Sequence, residues 1–191
     1  MRLTERRTAQ HGALLVVDVQ EKLMARIIDR DLIIAQAVRL IRAAEVLQIP
    51  VFATEQYPEG LGPTVDELAR LIPDRPGKTT FHCCGAPQFL EQLYGRQIRH
   101  VTLVGIEAHV CVAQTALELL HLGFGVQVPA DAVGSRSRLD WEFALRRLET
   151  AGAVVTTAEA VLFEWTECSD RKEFKAISEL VKSFKAPAKS T

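Results

Sequence analysis

The apolar residues of this chain fall in short uninterrupted runs separated by helix-length segments, and that alternation restricts the fold more than any other feature. Residues 13–17 are continuously apolar and end in Asp18, the pattern of a strand buried on both faces of a parallel sheet. The stretches 50–54, 77–80, 100–104, 126–129 and 153–156 read as five more strands, though 77–80, Gly-Lys-Thr-Thr, is short and polar. Between them, apolar residues recur at helical spacing. Residues 31–48 carry Leu32, Ile33, Ala37, Leu40, Ile41, Ala44 and Leu47 on one side. Residues 65–71, 87–94, 110–121 and 138–150 read as helices, with Gly123 and Gly152 placed to end two of them. Helices over 158–165 and 173–183 close the chain. Residues 55–63 read as a long Gly- and Pro-rich loop, and residues 131–137 as a polar turn. Strands separated by helices imply an α/β fold. We expect a doubly wound, mostly parallel six-stranded sheet with helices on both faces, Rossmann-like in its right-handed crossovers.

The 191 residues fit one domain, 1–191, with 1–10 and 185–191 expected as flexible tails. A net charge of -1 with interleaved acids and bases argues against a nucleic-acid partner. No apolar run approaches the roughly 20 residues of a membrane helix, so no membrane partner is expected. The polar, basic start lacks a signal-peptide core. The four cysteines match no zinc spacing. A reduced, cytoplasmic location with free thiols follows as the expectation.

In a doubly wound sheet the site lies at the C-terminal ends of the strands. Asp18 ends the first strand, Lys78 lies on the short third, and Cys111 follows the fourth at the start of a helix. An acid, a cation and a thiol on one rim make a coherent nucleophilic site. Singly, an Asp after a strand is often a turn residue, a loop Lys a solvated charge, and a Cys a small core residue. A helix start favours thiolate, which ranks Cys111 above Cys168. Cys83 and Cys84 lack that setting and read as packing residues.

The string Gly105-Ile106-Glu107-Ala108-His109-Val110-Cys111-Val112 resembles the nucleophile turn of the isochorismatase-like cysteine hydrolases. Leu14-Leu15-Val16-Val17-Asp18-Val19-Gln20 is similar to the first strand and catalytic Asp of that superfamily. Gly77-Lys78-Thr79 resembles the position of its catalytic Lys. Thr54-Glu55-Gln56-Tyr57-Pro58, Gly60-Leu61-Gly62 and the turn from Asp131-Ala132 to Ser135-Arg136-Ser137 look like the isochorismatase domain-containing hydrolases. The resemblance implies an isochorismatase-like fold and a small-molecule substrate. It also implies Cys111 as nucleophile, Asp18 as general base and Lys78 as the cation that orients both. It implies a non-proline cis peptide between Ile106 and Glu107, and an oxyanion site made by the N–H groups of Glu107 and Cys111. Homo-oligomers, dimer or larger, are expected on the same ground.

Nicotinamidases of that superfamily use an Asp/His metal site between the second strand and the Lys. Here no His lies between Pro50 and Lys78, and Glu55 with Asp66 makes a poor transition-metal site. No metal and no other cofactor is expected. Isochorismatases need cations for two substrate carboxylates, whereas Thr79, Thr80, Phe81 and His82 follow Lys78. The reading is therefore hydrolysis of a small amide or related C–N bond through a thioester. Glu55, Gln56, Tyr57, Leu61, Phe81 and His109 are candidate pocket residues, each equally readable as packing or turn residues. Trp141 and Trp165 read as packing or partner-facing residues. Two alternatives stay open: a redox or thiol-reactive protein using Cys111, with Cys83 and Cys84 as resolving thiols, and a non-catalytic interaction module.

Overall fold

The computed structural model describes residues 5–187. Its strands are β1 (Gly12–Val17), β2 (Val51–Gln56), β3 (Gly77–Lys78), β4 (His100–Ile106), β5 (Gly125–Pro129), β6 (Val133–Gly134) and β7 (Val154–Thr156). They pair in parallel in the order β3-β2-β1-β4-β5-β7, with β6 added against the end of β4. The sheet thus has seven strands rather than the six expected. The extra one lies inside the stretch read as a polar turn at 131–137. Two residues are too few to show a period, and Gly134 is there for lack of a side chain. A Cβ on it would come within 2.2 Å of Ile33 Cδ1.

Parallel strands buried on both faces send alternate side chains to opposite sides. Leu14 and Val16 of β1, with Val104 and Ile106 of β4, join one core cluster. That cluster includes residues of α2 (Arg30–Leu47), α4 (Asp66–Ala69), α8 (Ala158–Thr166) and α9 (Phe174–Lys182). Ala13, Leu15 and Val17, with Val101 and Leu103, join the other. There they meet α5 (Phe89–Gly95), α6 (Ala113–His121) and α7 (Arg138–Thr150). Trp165 is among the largest fully buried side chains. Trp141 is half-buried and donates its Nε1–H to the carbonyls of Ala130 and Val133.

Several local expectations need correction. The stretch 55–63 is not all loop: β2 runs on to Gln56, and α3 (Pro58–Leu61) follows. An unforeseen turn of helix, α1 (Glu21–Met24), follows Asp18. The helix expected over 110–121 opens as a π-helical turn, Ala108–Val112, before α6 begins. Of the expected N-terminal tail, residues 1–4 lie outside the described residues, but Arg7 is buried and His100 Nε2 pairs with the Thr8 carbonyl. Of the C-terminal one, residues 188–191 lie outside them. Among the described residues, no helix is long and apolar enough to cross a membrane.

Register positions the site. Val17 stands opposite Thr54 on one side and Gly105 on the other. Gln56 stands opposite Lys78, and Ile106 opposite Gly134. The residues that follow β1, β2 and β4 therefore share one rim.

Candidate active site

Asp18 ends the extended run of β1 in a left-handed conformation, φ 51°. Such backbone costs a non-glycine residue about 1–3 kcal/mol and concentrates where a side chain must be aimed. Its carboxylate accepts from Lys78 Nζ at 2.7 Å through Oδ2 and from Thr54 Oγ1 at 2.8 Å through Oδ1. Both side chains of the ion pair are fully buried. Lys78 Nζ also reaches Gln56 Oε1 at 2.6 Å and the carbonyls of Phe81 at 3.1 Å and Thr80 at 3.2 Å. An ammonium has three N–H groups, so four acceptors leave it none for a further partner.

Cys111 lies on the π-helical turn after β4 and is 5% exposed. Gly105, just upstream, has φ 112°, and a Cβ there would stand 2.2 Å from the Val17 carbonyl oxygen. Only glycine lets β4 and β1 approach so closely at this point. The peptide bond between Ile106 and Glu107 is cis.

Burial pushes the Asp18 pKa up, against the opposing pull of Lys78, Cys111 and Thr54. It becomes a carboxylate with increased appetite for a proton, as a general base requires. Burial also pushes the Cys111 thiol well above its ordinary value, and the Asp18 charge pushes it the same way, with Lys78 opposing. The helix start expected to favour thiolate here has a counterweight. The turn is π-helical, and desolvation beside a carboxylate outweighs any helix-end field. These surroundings make the thiol hold its proton more tightly than a free cysteine does, next to the base that can take it.

The other candidates separate. Gln56 joins the site through Lys78. Glu55 points its carboxylate elsewhere: it accepts from the Thr64 N–H and hydroxyl and from Arg75 Nε. Burial alone would raise the Glu55 pKa, but these partners hold it low. Tyr57 and Phe81 are exposed, and Leu61 is half-buried on α3. His109 Nδ1 pairs with Ser135 Oγ at 3.0 Å, and Glu107 is ion-paired to Arg136 Nε at 2.9 Å.

Four supporting residues escaped sequence reasoning. Gln20, fully buried, accepts from the Gln56 N–H and donates to the carbonyls of Gln56 and Gly62. Thr54 holds Asp18. Thr115 Oγ1 accepts the Cys83 N–H at 2.9 Å and donates to the Cys111 carbonyl at 2.6 Å. Cys83 Sγ lies 3.3 Å from Thr54 Oγ1, and burial beside Asp18 pushes its pKa up to about 11. A glutamine two residues past the strand-ending Asp was the one available signal. Among the described residues, no three His, Cys, Asp or Glu side chains are grouped to hold a metal ion.

The chain has close counterparts in sequence and fold. The isochorismatase domain model matches residues 12–160. The chain belongs to the isochorismatase-like superfamily. It is 39% identical over 174 residues to mouse isochorismatase domain-containing protein 2A, covering 91% of this chain and 84% of that one. Among solved structures it is similar to one described as MAR1 ribonuclease from Caenorhabditis elegans. That match has TM-score 0.89 and 42% identity over 97% of this chain and 96% of the other. The Escherichia coli YcaC gene product, described as an octameric hydrolase of unknown specificity, shares the fold at TM-score 0.84 and 24% identity, with 94% and 92% covered. The chain is thus an isochorismatase-family member with a hydrolase fold.

Proposed function

We propose that this isochorismatase-family chain hydrolyses a small-molecule amide or related C–N bond through a Cys111–Asp18–Lys78 triad, without a metal. The observation that carries the reading is the fully buried 2.7 Å Lys78–Asp18 pair on the same rim as the 5% exposed Cys111. Asp18 takes the Cys111 proton as Sγ attacks the substrate carbonyl. The oxyanion is received by the N–H groups of Glu107 and Cys111, each such donor lowering the barrier by about 3 kcal/mol. Collapse breaks the C–N bond, and Asp18 passes its proton to the departing amine. A water then attacks the thioester while Asp18 accepts its proton. The acid leaves, and the proton returns to the Cys111 sulfur.

Lys78 has no free N–H for substrate, so its task is electrostatic. It keeps Asp18 ionised enough to act as a base despite burial. A raised thiol pKa argues against the redox alternative, since sensor cysteines are low-pKa and accessible. The ribonuclease description of the nematode relative finds no support in the charge here. Phosphodiester binding draws on basic surface, and the net charge is -1. Self-association fits the exposed Leu139 and Phe143 of α7, and light scattering measures it.

Ammonia release across a panel of small amides, comparing wild type with Cys111→Ser, tests the reading. Turnover in wild type that disappears in the variant supports it. RNA cleavage that survives in the variant, without amide turnover, overturns it.

A further inference from the structure

Asp18 is held by more than Lys78. Thr54, on β2, donates its hydroxyl proton to Asp18 Oδ1 at 2.8 Å. The same Thr54 oxygen lies 3.3 Å from Cys83 Sγ. A hydroxyl carries one proton and two lone pairs. With that proton spent on Asp18, the thiol is the donor of the second bond: Cys83 S–H to Thr54, then Thr54 O–H to Asp18. Cys83 and Thr54 are both buried, so bulk water does not compete for either bond.

Cys83 is fixed from its other side by its backbone. It lies on a short helical turn, Cys83–Gly85. Its N–H donates to Thr115 Oγ1 at 2.9 Å, and Thr115 Oγ1 donates to the Cys111 carbonyl at 2.6 Å. Two hydroxyl bridges thus meet at Cys83, one from the carboxylate after β1 and one from the nucleophile turn. We infer that Cys83 is a positioning residue for Asp18, its thiol proton acting through Thr54 to favour the ionised carboxylate. The description of Asp18 as a base rests on the hydrolase reading, whereas the relay rests on the distances. Hydrogen bonds in a chain polarise one another, so a donor on the Thr54 oxygen strengthens the bond that Thr54 gives. A stronger bond to the charged form favours that form. Lys78 from β3, Cys111 from the π-helical turn and Cys83 itself are the titratable groups that face Asp18. Burial and the Asp18 charge push the Cys83 thiol up to about 11, which favours the proton-bearing donor near neutral pH.

The full-length protein carrying carbon-13-labelled aspartate reports Asp18 through its carboxyl carbon, assigned by its loss in Asp18→Asn. Its titration midpoint is read by NMR. Cys83→Ala keeps the backbone N–H to Thr115 and removes the thiol donor, and the midpoint is expected to rise by about 0.3 pH unit. Cys83→Ser restores a donor and should bring the midpoint back toward wild type. Thr54→Val already cuts the relay, so adding Cys83→Ala to it should move the midpoint no further. Cys84→Ala, half-buried and outside the relay, should leave it in place. Cys83→Val, which fills the space without a donor, replaces the Ala variant if that does not fold. The acid limb of kcat/KM should move with the midpoint while KM changes little. A midpoint unmoved in Cys83→Ala, or moved equally with and without the Thr54 hydroxyl, overturns the inference. A Ser variant that behaves as the Ala variant also overturns it, because packing and not the proton is then what matters. Amide turnover with an unmoved midpoint overturns the relay and spares the hydrolase. A moved midpoint in a protein that turns over no amide supports the relay and removes the hydrolase.

Discussion

Replacing Lys78 with Met removes the ammonium and keeps much of the side-chain volume. Both members of the pair are fully buried, at 2.7 Å, so the variant leaves the Asp18 carboxylate with Thr54 as its one remaining strong donor. Breaking a buried pair by removing one partner costs about 3–5 kcal/mol. The Gln56 side-chain oxygen and the carbonyls of Thr80 and Phe81 lose their donor as well, which places the expected loss at the upper end. The loss also depends on pH, with a definite sign. The folded pKa of Asp18 is already above its unfolded value, and without Lys78 it rises further. A raised carboxyl pKa favours the protonated folded form, so the variant is least destabilised below the unfolded pKa. It loses stability as pH rises through the folded one. Urea denaturation at about pH 5 and about pH 8, pH values that lie above the ordinary Asp value, gives the comparison. The deficit of Lys78→Met should be larger at the higher pH. The double variant Asp18→Asn, Lys78→Met should regain much of the loss at the higher pH while remaining without turnover. A single variant within about 0.5 kcal/mol of wild type, the range of an ordinary surface substitution, refutes the claim that this pair is buried and mutually dependent.

Asp18→Asn should separate reactivity from catalysis. Because the Asp18 charge raises the Cys111 pKa, iodoacetamide labels Cys111 faster in the variant than in wild type, while amide turnover falls by about a hundredfold or more with the general base gone. Slower labelling in the variant contradicts the assignment of that charge. Gly105→Ala places a methyl group 2.2 Å from the Val17 carbonyl oxygen at φ 112°. It should destabilise by at least about 2 kcal/mol, read as a lowered thermal midpoint. Gln20→Ala should lower kcat by about tenfold with little change in KM, since Gln20 acts on Lys78 only through Gln56 and a positioning loss falls on the transition state. Its Gln20→Glu counterpart should recover part of that loss, because it keeps the acceptor for the Gln56 N–H.

The architecture was legible because short apolar stretches alternate with helix-length segments, and the rim was legible because Asp18 directly follows β1, Lys78 lies on β3 and Cys111 lies on the turn after β4. Register did the rest. Val17 between Thr54 and Gly105 brings β1, β2 and β4 to one edge. β6 was hidden because Val133 and Gly134 are too few to carry alternation. The π-helical turn was hidden because residues 108–112 share the apolar spacing of an α-helix. Gln20, Thr54 and Thr115 carry no chemistry of their own and became visible only through what they hold. The surroundings of Cys111 were not legible: a helix start favours thiolate by a modest field, whereas burial beside a carboxylate pushes the other way, and burial is not written in local sequence.

The central claim is that Cys111 carries the acyl group between two halves of one reaction. Rapid acid quench of wild-type protein turning over an amide from the active panel, followed by peptide mass spectrometry, measures it directly. The account predicts an adduct on the Cys111 peptide with the mass of the acyl fragment, released by hydroxylamine and absent in Cys111→Ser. Amide turnover with no adduct on Cys111 at any quench time, and undiminished in Cys111→Ser, contradicts it.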